Sequence, residues 1–67
     1  MRQQMLETLK QHAKANSQLH CMNIEVYLKN PAGIGEHSDI MEAIQAEVDK
    51  MAMHEDRLDI LHNYFAE

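Results

Sequence analysis

The chain has 67 residues, with 11 acidic and six basic side chains and a formal net charge of −5. This length excludes more than one domain and leaves a small core, which a disulfide, a metal or a partner chain normally stabilises. Its single cysteine, Cys21, excludes an intramolecular disulfide and fits a reducing compartment, where we expect it to be a structural residue.

The charge and hydropathy patterns also limit the partners. No apolar run is long enough to cross a membrane, and the N-terminal residues lack the apolar core of a signal peptide. Residues 1–30 carry four basic and two acidic side chains, whereas residues 31–67 carry two basic and nine acidic ones. Because no basic patch is present to contact phosphates, we expect no nucleic-acid binding. The sequence predicts a soluble, cytoplasmic protein without membrane contact.

The first predicted element is a helix over about residues 3–29. An apolar stripe begins at Met5, Leu6 and Leu9 and continues to Ala13, and it resumes towards Tyr27. Asn16 and His20 interrupt the stripe, and Asn16-Ser17 is a pair that favours caps and turns. A break in the helix at this pair is therefore left open.

The end of this segment, MNIEVYLK, also alternates like a β-strand. A strand needs an edge to pair with, however, and the chain contains no second strand-like run. Ile24, Tyr27 and Leu28 fit a helical face equally well, so we predict a helix here.

The stretch NPAGIGEH predicts a turn over residues 30–37. Pro31 ends the preceding helix, because the residue before a proline is pushed away from helical angles. Gly33 and Gly35 supply conformational freedom, but no strand precedes them and no lysine follows in the phosphate-loop position. We therefore read a connector between helices.

The second predicted helix spans about residues 38–65, with Ser38 as its N-cap and Asp39 in its first turn. Apolar and polar residues then step by four and three along one row. This heptad row consists of Ile40, Ile44, Glu47, Met51, His54, Leu58, Leu61 and Phe65.

Together these elements predict one all-α domain over residues 1–67, an antiparallel two-helix hairpin. The expected facing pairs are Leu6 with Leu61, Leu9 with Leu58, Ala13 with His54, Ile24 with Ile44, and Tyr27 with Ile40. The predicted core and interface residues are Leu6, Leu9, Ala13, Ile24, Tyr27, Ile40, Ile44, Val48, Met51, Leu58, Leu61 and Phe65. His20 falls opposite Glu47, and we expect this polar pair to fix the register.

A hairpin covers only one side of each helix, so several apolar residues would remain exposed in a single copy. Six methionines add soft apolar surface suited to adaptable contacts. A homodimer forming a four-helix bundle is the simplest arrangement that buries this surface. We therefore expect a homo-oligomer, with a dimer favoured and the tetramer left open.

Candidate chemistry is sparse. Asp59 and His62 have the carboxylate–histidine spacing that di-metal four-helix bundles use, and His54 and Glu55 lie nearby. The alternative function is a metal-binding bundle that uses some subset of these four residues and His12, His20 and Glu47. The first helix lacks two carboxylates close enough to share a site, so no metal or other cofactor is expected. Adjacent His20 and Cys21 point about 100° apart, which argues against a catalytic pair and against an enzyme.

The stretch YLKNPAGIGEHSDIMEAI and the later acidic segment EDRLDILHNYF resemble short uncharacterised helical proteins of T4-like bacteriophages, including marine ones. The resemblance runs from about Glu25 to Phe65. It implies a small phage-encoded protein in the host cytoplasm and implies no activity or site residue.

The expected function is that of a non-enzymatic, oligomeric helical interaction module. The resemblance suggests the role of a phage accessory protein that binds a host or phage protein. Besides the metal-binding bundle, a third hypothesis is an acidic mimic that occupies the groove of a nucleic-acid-binding protein.

Overall fold

The computed structural model describes residues 1–29 and 37–65, and for residues 37 and 38 the backbone alone. Helix α1 spans Arg2–Lys29 and helix α2 spans His37–Phe65. The two helices pack along their length, and the prediction of an all-α hairpin is thereby confirmed. The predicted bounds were about 3–29 and 38–65. The connector predicted at 30–37 lies outside the described residues except for His37, which begins α2.

Helix α1 is continuous through the Asn16-Ser17 pair, where a break had been left open. The side chain of Asn16 donates to the carbonyl oxygen of His12, one turn earlier, at 2.8 Å. Thr8 donates in the same way to the carbonyl of Gln4 at 2.8 Å. In both cases the polar side chain bonds to the backbone of the preceding turn, and the helix continues past it.

The helices run antiparallel, since residues later in α1 bond with residues earlier in α2. Ser17 bonds with Glu55, and Asn23, further along α1, bonds with Glu47. The hairpin is a rod with extents of 48 × 15 × 13 Å. It is therefore a single layer of two helices.

The helix ends follow the expected electrostatics only in part. Asp39 lies in the first turn of α2, and Lys29 lies in the last turn of α1, where each charge complements the helix dipole. Ser38 is the second residue of α2, however, and not the residue preceding it. The expected N-cap role of Ser38 is therefore corrected, because the helix starts at His37.

Little apolar surface is buried between the helices. Among the described residues, Ala13 and Ile40 are the buried apolar side chains. Most other predicted core residues are half-buried: Leu6, Ile24, Tyr27, Ile44, Met51, Leu58 and Leu61. The remaining three predicted core residues, Leu9, Val48 and Phe65, are exposed, so their assignment to the core of the hairpin is corrected. The hairpin alone therefore leaves most of its predicted core residues partly or fully accessible to solvent.

Neither described helix combines the length and the apolar character needed to cross a membrane.

Candidate functional site

The middle of the hairpin is held by polar side chains. From α1 come Ser17, His20 and Asn23, and from α2 come Glu47, His54 and Glu55; we call these six residues the polar layer. Ser17 and His54 are both buried. A heptad row normally places apolar residues here, so hydrogen bonds must satisfy the polar layer.

Glu47 is the main acceptor of the polar layer. The Nδ1–H of His20 donates to its Oε2 at 2.5 Å, and the amide of Asn23 donates to its Oε1 at 3.1 Å. His20 and Asn23 are three residues apart, so they lie on one face of α1 and reach both carboxylate oxygens. The hydrogen bond from His20 lowers the pKa of the Glu47 carboxyl, burial opposes this effect, and Asn23 adds to the lowering. Glu47 is therefore suited to remain ionised between the helices.

Ser17 makes the second polar link between the helices. Its hydroxyl donates to Oε2 of Glu55 at 2.6 Å. Ser17 is buried whereas Glu55 lies at the exposed edge of α2, so the carboxylate reaches inward to accept the bond. This pair satisfies a buried hydroxyl that would otherwise lack a partner.

Three histidine rings are in contact at the centre of the hairpin: His20 and His54 of the polar layer, and His12 beside them. The ring of His54 stacks on that of His20, with centroids 5.7 Å apart and an interplanar angle of 12°. His12 approaches His54 edge-on, with centroids 6.1 Å apart and an angle of 68°. His54 therefore lies between two histidines of α1.

His54 is the least satisfied member of this group. It is 6% exposed, and its Nδ1 has no hydrogen-bond partner within the described part of the chain. Burial lowers the pKa of His54, and the charges of Arg57, His20 and His12 lower it further. The site therefore favours the neutral imidazole.

The residues considered for a metal are spread over different surroundings. His54 is buried between the helices, whereas Glu55, Asp59 and His62 are exposed on α2. Within residues 1–29 and 37–65, no group of three or more histidine, cysteine, aspartate or glutamate side chains is arranged to hold a metal ion. The histidine cluster consists of two ring contacts: His20 stacks on His54, and His12 meets His54 edge-on.

One long side of the described hairpin is rich in exposed apolar residues. A shallow groove of about 370 Å³ places Leu9 and His12 of α1 beside Arg57 and Ile60 of α2. Steps of seven residues extend this side along both helices. The exposed apolar residues on it, which we call the apolar face, are Met5, Leu9, Leu19, Val26, Met53, Ile60 and Tyr64. Each is at least 43% exposed, so both helices present unburied apolar surface on the same side.

The opposite side, which we call the polar face, has a different composition. A second groove there is lined by Glu7, Gln11, Lys14 and His62. Seven-residue steps add Gln18 and Glu25 to α1 and Glu55 to α2. Exposed apolar residues occur on this face towards the connector, at Leu28, Met41 and Val48. The hairpin is thus amphipathic as a whole.

His20 and Glu47 were predicted from the sequence to face each other, and the structure brings them together. Ser17 and Asn23 were not predicted to contribute to the polar layer. Their signal is in the sequence, since Ser17 continues the seven-residue step from Lys10 to Ile24, and Asn23 follows His20 by one turn. Spacing along the helices also gave no indication that Ser17 bonds with Glu55 or that the ring of His12 contacts His54.

Comparisons with protein-family models, curated proteins and solved structures give no match to this chain.

Proposed function

We propose that this chain is a non-enzymatic interaction module that assembles with a second copy of itself through the apolar face. Two hairpins would then form a four-helix bundle. The observation that carries the proposal is the extent of the apolar face, which runs from Met5 and Tyr64 at one end of the rod to Val26 towards the other.

The small core supports a second copy as the occupant of this face. The described hairpin buries only Ala13 and Ile40 as apolar side chains. A helix pair gains most of its stability from packing an apolar stripe, and one interface with a polar centre supplies little of it. A second hairpin would cover the apolar face and complete the core.

The area available is also sufficient. A rod face of 48 by 15 Å offers roughly 700 Å² from each copy. Pairing two such faces removes about 1,400 Å² from water, which lies in the range of stable protein–protein interfaces. A two-fold axis makes the same face serve both copies.

The charges are arranged to permit this pairing. Asp39 lies on the apolar side of α2, at the connector end, by its seven-residue step to Met53 and Ile60. The other acidic residues of the described chain lie on the polar face, on the outer edge of α2, or, for Glu47, between the helices. Lys50 and Arg57 flank the apolar residues, and their stems can cover apolar surface while the charges reach water. Contact between two apolar faces therefore buries few carboxylates.

The wider role follows from the resemblance to short phage proteins. In this proposal the assembled bundle works in the host cytoplasm as an accessory factor and presents its acidic outer surface to a host or phage protein. The acidic residues Glu42, Asp49 and Asp56 form one seven-residue row on that surface.

A matched pair of neighbouring substitutions tests the assembly. Leu19→Glu places a carboxylate on the apolar face, whereas Gln18→Glu makes the same charge change on the polar face. Because burying an unpaired carboxylate is costly, we expect Leu19→Glu to weaken dimerisation at least about a hundredfold. Gln18→Glu should leave it unchanged. Sedimentation equilibrium over a wide concentration range measures both constants.

Two results would count against the proposal. A wild-type chain that stays monomeric at high concentration would refute self-assembly. Equal dimerisation of the two variants would place the interface elsewhere on the hairpin.

A further inference from the structure

A buried histidine, His54, lies at the centre of the hairpin. His54 is 6% exposed, and its Nδ1 lacks a hydrogen-bond partner among the described residues. A neutral imidazole tolerates this position, because it carries one acceptor nitrogen and no charge. An imidazolium would place both a charge and an unpaired donor between the helices, and neither is compensated there.

The groups that face His54 give a proton no counter-charge. From α1, the ring of His20 stacks on it and the ring of His12 meets it edge-on, and neither imidazole carries a negative charge. On α2, the positive charge of Arg57 lies one turn away.

The carboxylates of the polar layer are already engaged. Glu47 accepts from His20 and Asn23, and Glu55 accepts from Ser17. Both oxygens of Glu47 thus already accept a hydrogen bond, and Oε2 of Glu55 accepts one from Ser17. None of these bonds involves Nδ1 of His54, so a proton on that nitrogen would have no carboxylate partner among the described residues.

We infer that mild acid shifts this hairpin towards an open state and its assembled copies towards separation, with His54 as the group whose protonation drives the change. His12 links the two events, since its ring contacts His54 and its position lies on the apolar side, in the groove with Leu9 and Ile60. The separation of copies rests on the proposed function, whereas the opening of the hairpin does not.

The direction of the effect follows from proton linkage. The pKa of His54 is lowered in the folded chain, chiefly by burial, so the unfolded chain binds the proton more readily. The stability that His54 contributes is therefore complete above its ordinary pKa of about 6.5 and is lost as pH falls below that value. At pH 5.5 one such proton raises the unfolding equilibrium constant up to about tenfold relative to pH 7.5.

The first measurement is an NMR titration of the five histidine rings in the wild-type chain from pH 8 to 5.5, with circular dichroism recorded in parallel. We expect the folded His54 ring to remain neutral to a pH below the ordinary value and to become protonated as helicity is lost. A folded His54 that titrates at or above pH 6.5 with full helicity would overturn the inference.

Variants supply the second measurement. His54→Leu and His54→Gln each remove the titrating group, and His62→Gln is the control, because His62 is exposed on the polar face. Urea unfolding at pH 7.5 and 5.5 should show the acid-induced rise in the wild type and in His62→Gln. At least one His54 variant should lose it. If every folded His54 variant keeps the full rise, the inference is wrong.

Sedimentation of the wild type at the same two pH values separates this inference from the proposed function. A dimer at pH 7.5 that dissociates at pH 5.5 supports both. A monomer at both pH values refutes self-assembly, while the histidine titration and the unfolding data still decide the role of His54. A dimer equally tight at both pH values overturns the separation of copies by acid.

Discussion

Glu47 shows how a single charged residue can occupy a row of apolar ones. It takes a position in the heptad row of α2, and its side chain is only 13% exposed. A buried carboxylate is tolerated where hydrogen bonds replace its water, and here His20 and Asn23 provide one for each oxygen. The residue therefore contributes specificity of pairing and adds little apolar stabilisation.

Removal of this carboxylate should destabilise the hairpin. In Glu47→Ala the donors of His20 and Asn23 lose their acceptor, and we expect the free energy of unfolding at pH 7 to fall by about 1–3 kcal/mol. Glu42→Ala, an exposed site on the same helix, should change it by less than about 0.5 kcal/mol. Urea unfolding followed by circular dichroism compares them. Equal losses in both variants would show that the bonds to Glu47 contribute nothing.

The same residue adds a pH dependence below that of His54. The pKa of Glu47 is lowered in the folded chain, first by the bond from His20, so its contribution is present above its ordinary pKa of about 4.5. That contribution should be lost as pH falls below 4.5. Glu47→Gln should unfold with a shallower dependence on pH between 5 and 3.5 than the wild type, and an unchanged slope would argue against this role.

The sequence could predict only part of this residue-level arrangement. Step counting along two antiparallel rows places His20 opposite Glu47. It does not tell which neighbours reach the same carboxylate, because that depends on small rotations of each helix about its axis. Average spacing placed His54 opposite Ala13 and assigned no partner to Ser17, whereas the bond from Ser17 to Glu55 and the ring contacts of His54 depend on side-chain reach.

Packing against α2 keeps α1 helical through a segment with low intrinsic helix propensity. The stretch QHAKANSQ has alanines as its only apolar residues, and its Asn16-Ser17 pair favours turns in isolation. In the hairpin Asn16 bonds back to the helix and Ser17 bonds to α2, so the pair is used without a break. The long apolar period of α2 made that helix predictable, but the continuity of α1 depends on its partner.

Ile40 offers a test of the packing between these elements. It is the buried apolar residue of α2 at 7% exposure, while its neighbour Met41 is 61% exposed. Because truncation leaves a cavity between the helices, Ile40→Ala should lower the free energy of unfolding by about 2–4 kcal/mol. Met41→Ala should have an effect below about 0.5 kcal/mol. Urea titration provides both values, and a larger loss in Met41→Ala would reverse the assigned faces.

At the scale of the whole molecule, a single layer of two helices has no enclosed interior. The all-α hairpin could be predicted because the chain is short and one heptad row dominates its second half. The apolar face could not be assigned as completely. The seven-residue steps from Met5 to Val26 mark one side of α1, but the side of α2 that lies beside them follows only from the antiparallel packing.

If a second copy completes the core, thermal stability must depend on concentration. Dissociation accompanies unfolding in such a dimer, so mass action raises the melting temperature as the protein concentration increases. We expect a rise of several degrees over a hundredfold concentration range, measured by circular dichroism melts. Leu19→Glu should melt lower and without this dependence. A wild-type melting temperature that is independent of concentration would contradict a coupled dimer.

The placement of Cys21 has a practical consequence. It is the sole cysteine of the chain, it is exposed, and its seven-residue step from Lys14 puts it on the polar face, away from the proposed contact. A spin label attached there gives one label-to-label distance in a two-fold dimer. If the two-fold axis is parallel to the helices, the two labels lie at the same position along the long axis of the rod. If the two-fold axis is perpendicular to the helices and passes through the middle of α1, the labels are offset by about 16 Å along the rod, because Cys21 lies five to six residues from that middle. The distance between labels on Cys21 therefore distinguishes parallel from antiparallel packing of the two hairpins, without the introduction of a new cysteine.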